Sequence, residues 1–146
     1  MSRTSQRGVT LLEMLVVVTL IALIAGISYP SIASGLDSLR LRSASDSIVS
    51  FLNTALDRAD RRQQAVEIRI SPGENALAAR SADHVFSREL QLAGNVHIAN
   101  PAEPRRFLVY PGGTVPAIVI EIETDQHRRV VSVDPMTGVS RSEARP

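Results

Sequence analysis

Residues 9–29 read VTLLEMLVVVTLIALIAGISY, an almost unbroken apolar run. At a helical rise of about 1.5 Å per residue the run reaches roughly 30 Å, the thickness of a bilayer's hydrocarbon core. It predicts a transmembrane helix, and no second run of this kind occurs in the sequence. The preceding residues, MSRTSQRG, are polar and carry Arg3 and Arg7. Basic charge on that flank, with few basic residues directly after the run, orients the N-terminus toward the cytoplasm.

Three arrangements share this profile: a secretory signal cut beyond the run, a plain single-pass anchor, and a leader cut before the run so that the run stays in the mature chain. The apolar region of a standard signal peptide spans about 7–15 residues, shorter than this one. Glu13 weighs further against the first two. A carboxylate near the centre of a span costs about 2.5–3.5 kcal/mol, less at its edge, and neither a signal nor a bland anchor has use for it. In a chain beginning at Val9, Glu13 is the fifth residue, one turn from a new α-amino group. The amine of a neighbouring helix would then compensate it when helices pack side by side.

Arg7-Gly8-Val9-Thr10-Leu11-Leu12-Glu13 resembles the cleavage motif of type IV prepilins and type II secretion pseudopilins. The family has Gly before the cut, a hydrophobic residue (usually Phe) after it, and Glu at the fifth mature position; Val9 departs from the usual Phe. The resemblance implies that a prepilin peptidase cuts between Gly8 and Val9, that Val9 is N-methylated, and that Glu13 serves assembly. Counted from Val9, Pro30 falls where these proteins carry a helix-kinking proline. Physically, Pro30 removes one backbone hydrogen bond and clashes with the Gly26 carbonyl, so a bend or local melting is expected there.

Beyond Pro30 the helical period resumes. Ile32, Leu36 and Leu39 share a face, followed by Ile48, Leu52, Ala55, Leu56 and Ala59 at spacings of three and four. One long helix from about Val9 to Gln64, interrupted near Pro30, is expected, with Arg58, Arg61 and Arg62 as a solvated basic end. From Ala65 the period changes to two. Val66–Ile70, Leu77–Arg80, Val85–Leu92, Val96–Ile98, Phe107–Tyr110, Ala117–Glu123, Arg128–Val133 and Val139–Arg141 read as short strands between turn clusters. The expected fold class is α+β: a pilin-like long helix packed on an antiparallel sheet or sandwich. The segments would be a leader at 1–8, a membrane and filament-core helix at 9–30, an amphipathic helix at 31–64 and a β-rich periplasmic domain at 65–146.

Phe107–Gly113 and Thr137-Gly138-Val139 are similar to the strand-and-turn motifs of H-type minor pseudopilins (GspH) and their FimT-like pilin relatives. That resemblance implies a structural subunit near the tip of a periplasmic pseudopilus. Its partners would be other minor pseudopilins, the major pseudopilin, the prepilin peptidase, an inner-membrane assembly platform and, before assembly, membrane lipid. The alternatives are a minor pilin of a type IV pilus, acting in pilus priming or DNA uptake, and a membrane-anchored periplasmic binding domain.

Composition bounds the rest. Hydrophobic residues make up 44% and charged residues 21%, which fits a folded domain, and aromatic content of 3% without Trp makes Ile, Leu, Val and Ala the core formers. A net charge of +1 gives no bulk electrostatic case for nucleic acid, and loss of Arg3 and Arg7 keeps the chain near neutral. Arg105, Arg106, Arg128 and Arg129 are the one candidate basic patch for DNA. The absence of cysteine excludes disulfides and thiolate zinc sites. His84, His97 and His127 lack metal-ligand spacing, Asp134–Gly138 reads as a turn, and no nucleophile elbow occurs. No metal, cofactor or catalytic activity is expected.

Overall fold

A computed structural model describes residues 10–92, 94–99 and 103–145, without the side chains of residues 28 and 30–34. Helix α1 spans Leu11–Arg62, and its backbone stays helical through Pro30. The expected interruption is therefore not a break in the helix. One lost bond costs a cooperative helix of this length a local penalty and does not stop its propagation. Among the described residues no helix is long and apolar enough to cross a membrane.

The chain forms two compact units, Met1–Leu36 and Asp37–Pro146. Within the second, the end of α1 is followed by eight strands: β1 Val66–Ser71, β2 Ala76–Ser81, β3 Ser87–Gln91, β4 His97–Ile98, β5 Arg105–Val109, β6 Val119–Glu123, β7 Arg128–Val133 and β8 Ser140–Arg145. They make two four-stranded sheets, ordered β3-β2-β1-β5 and β4-β6-β7-β8, with antiparallel pairing throughout. The period-2 stretches place Val66, Ile68 and Ile70 of β1, and Ile120 and Ile122 of β6, on inner faces where none of them is exposed. Each such side chain contributes about 1.5–3 kcal/mol by burial.

Helix α1 closes this core with a stripe at Leu41, Ser45, Ile48, Leu52, Ala55 and Ala59, with Phe51 beside it. The stripe differs from the expected one. Leu36 and Leu39 are 48% and 65% exposed, and Leu41 takes the first seat at 1%. The cause is Ser45, a polar residue that completes the spacing and so conceals it. Its hydroxyl is satisfied by the Ser142 hydroxyl on β8. Ser142 Oγ also accepts from Nε and Nη2 of Arg129, at 3.3 and 3.1 Å.

Asn75 ties the two sheets together. It follows the short 3-10 turn Pro72–Glu74 in a left-handed conformation (φ 52°), which Asn tolerates better than most residues. Its Nδ2 donates to the Val96 carbonyl at 2.7 Å, and its Oδ1 accepts from the Ile98 N–H at 3.0 Å. The β1–β2 turn thus holds the start of β4, whose two residues make only a short ladder of their own.

Candidate functional site

The N-terminal segment is built around a helix start. Thr10 is the N-cap of α1: its Oγ1 accepts from the Glu13 N–H at 3.2 Å, and its carbonyl accepts from the Met14 N–H at 3.2 Å. Thr10-Leu11-Leu12-Glu13 has the S/T-x-x-E spacing of a capping box, a signal present in the sequence that the reading of Glu13 as an assembly residue passed over. Glu13 is exposed in the first turn, at the positive end of the helix dipole. That position favours a carboxylate by about 0.3–1 kcal/mol, so Glu13 is accommodated locally before any neighbour reaches it.

Along the helix that follows, every described side chain from Leu11 to Ile27 is exposed, on all faces: Leu12 by 71%, Leu20 by 55% and Ile24 by 64%. Thr19, the other polar side chain within the run besides Glu13, donates its hydroxyl to the Leu15 carbonyl at 2.7 Å and needs no outside partner. Gly8 and Val9, the expected cleavage and methylation residues, lie outside the described residues, as does the side chain of Pro30. The described part of the site is therefore a capped helix start carrying one carboxylate and an apolar cylinder. Such a surface can insert in lipid or pack among like helices.

Elsewhere the polar residues serve the fold. The suggested basic patch is divided between sheets and mostly engaged. Arg105 donates to the Val119 carbonyl at 2.9 Å, Arg128 pairs with Glu123 at 2.7 Å, and Arg129 turns to Ser142. The basic helix end also departs from a uniformly solvated one. Arg61 pairs with Asp57 at 2.7 Å, whereas Arg58 is half-buried with its guanidinium 5.3 Å from the centre of the Phe86 ring. His84 sits at positive φ in the β2–β3 turn, His97 on β4 and His127 in the β6–β7 turn. Among the described residues no group of His, Asp and Glu is placed to hold a metal ion.

Two aspartates organise turns and are held below the usual carboxylate range. Asp83 is lowered first by the Ser81 hydroxyl and then by the Val85 N–H. Asp134 is lowered mainly by the Met136 N–H, with help from Thr137. Gly138 closes the Asp134 turn at φ 68°, and a Cβ there would meet Val115 Cγ2 at 3.5 Å.

A family model described as the prokaryotic N-terminal methylation motif matches residues 3–29, the segment that holds Gly8, Val9, Thr10 and Glu13. The motif supports a type IV pilin-like protein, and α1 packed on antiparallel sheets is consistent with that class. No curated protein and no solved structure matches the chain.

Proposed function

We propose that this protein is a minor pseudopilin of the H type, a structural subunit at or near the tip of the periplasmic pseudopilus in type II secretion. The observation that carries the reading is the methylation motif at residues 3–29 leading into a helix whose described apolar side chains are exposed all round. In this reading the precursor sits in the inner membrane with its N-terminus cytoplasmic and its β-rich unit periplasmic. The peptidase cuts after Gly8, Val9 is methylated, and Glu13 pairs with the N-terminal amine of a neighbouring subunit as the helix leaves lipid for the filament. The protein acts by packing and carries out no catalysis. Its partners are the other minor pseudopilins, the major pseudopilin and the assembly platform.

Mass spectrometry of the membrane-inserted chain tests the processing step. Wild type should lose residues 1–8, and Gly8→Leu should keep them; a mature mass for Gly8→Leu would overturn the cut site. Glu13→Val should insert normally and drop out of purified filaments, and normal incorporation would remove the pairing role. Neighbouring genes for a secretion pore would support the pseudopilin reading. Pilus motor genes would replace it with a FimT-like minor pilin.

A further inference from the structure

The register of β7 puts Arg129 on the inner face of its sheet, opposite Ile122 on β6 and Ala144 on β8. The same face continues with Val131 and Val133, both buried, so a guanidinium occupies a position of core type. Its Nε and Nη2 both bond to one neutral oxygen, Ser142 Oγ. Among the described residues no carboxylate lies within ion-pairing distance of it, whereas Arg128 and Arg145 have Glu123 and Glu121. A half-buried cation without an anion is costly, and a hydroxyl offsets only part of that cost.

Arg129 lines a cleft of about 440 Å³ between the β6–β7 turn and α1 at Ser38 and Leu41. His127 lines the same cleft, and its Nδ1 is shielded from solvent with no hydrogen-bond partner. The turn that presents this ring is fixed: Thr124 Oγ1 accepts from the His127 N–H at 3.2 Å, and the Thr124 N–H donates to the His127 carbonyl at 2.9 Å. Two acids border the cleft: Glu123, which is paired with Arg128, and Asp125, whose exposed charge is screened by solvent.

We propose that this cleft is a carboxylate-binding site, with Arg129 as the charged anchor and the His127 ring as part of its wall. A planar guanidinium matches a carboxylate in a two-point fork. The volume exceeds what a small inorganic ion fills and suits either a free polycarboxylate or an acidic side chain of another protein. These are two sources of one chemistry.

Nitrogen-15 NMR of the full chain in detergent micelles, titrated with citrate, acetate and a glutamate-containing peptide, tests the site. Citrate should shift the Arg129 Nε–H and the His127 ring saturably. Arg129→Gln should weaken binding at least tenfold, while Arg141→Gln, on an exposed position of β8, should leave it unchanged. Absence of saturation in wild type would overturn the proposal whether or not Arg129→Gln folds, because the wild-type Arg129 signal is itself the readout. Equal affinity in a folded Arg129→Gln would overturn it too. Saturation by citrate alone assigns the site to free carboxylates, and competition by the peptide assigns it to a protein side chain.

Discussion

The two ends of α1 use the same aliphatic residues and treat them in opposite ways. Between Leu41 and Ala59 the apolar side chains form one stripe, and the inner faces of two sheets cover it. Between Leu11 and Ile27 they point in every direction and remain exposed. A stripe can be covered by the chain's own sheets because it faces one way. A cylinder that is apolar all round can be covered only by something that surrounds it, lipid or several other helices. The difference separates a part of the helix that folds with its own domain from a part that depends on its surroundings.

The largest expected effect breaks this comparison at its centre. Phe51→Ala, at a side chain 1% exposed, should destabilise the β-rich unit by about 3–5 kcal/mol. Leu20→Ala, in the exposed cylinder, should leave the same unfolding transition within about 0.5 kcal/mol. Urea unfolding of the full chain in detergent, followed by a signal from the sheets, distinguishes them; comparable losses would refute the division. An intermediate effect is expected at the joint between the sheets. Asn75→Gly keeps the left-handed conformation but removes the bonds to Val96 and Ile98, and should cost about 2 kcal/mol of unfolding free energy in the same urea experiment.

The smallest effect concerns acid. Asp83 and Asp134 have folded-state values lowered from about 3.8, so their stabilisation is present above that pH and is lost as pH falls through the folded values. Asp83→Asn and Asp134→Asn should each flatten the decline of the urea midpoint below about pH 4. An unchanged slope in both variants would show that these turns do not contribute to acid sensitivity.

The sequence made the helix and the alternating strands legible because β1 and β6 carry strict period-2 patterns whose inward residues are the buried ones. It was poorer where pairing is carried by the backbone. Strand β8 reads SRSEAR, without a large apolar residue, yet pairs with β7 from Val133↔Ser140 to Arg128↔Arg145; the expected strand Val139–Arg141 caught only its start. Arg105 and Arg106 likewise extend β5 ahead of the Phe107 that signals it. At the N-terminus, Glu13 stood out as a charge in an apolar run, while Thr10 became informative only as a cap. The inward turn of Arg129 was hidden because Arg128-Arg129 fits either register, and one residue of slip exchanges the two faces.

The hydroxyl contact that seats α1 on β8 joins residues 97 positions apart. Closing a loop of that length costs about 4 kcal/mol of chain entropy before other contacts compensate. Folding of this unit must therefore wait for its last strand, and such non-local closure is slow. Ribosomal synthesis delivers the apolar helix first and β8 last, so the N-terminal segment is available for insertion while the rest of the chain is still unfolded. A truncation within Ser140–Arg145 should leave insertion intact and slow or abolish maturation of the domain that follows.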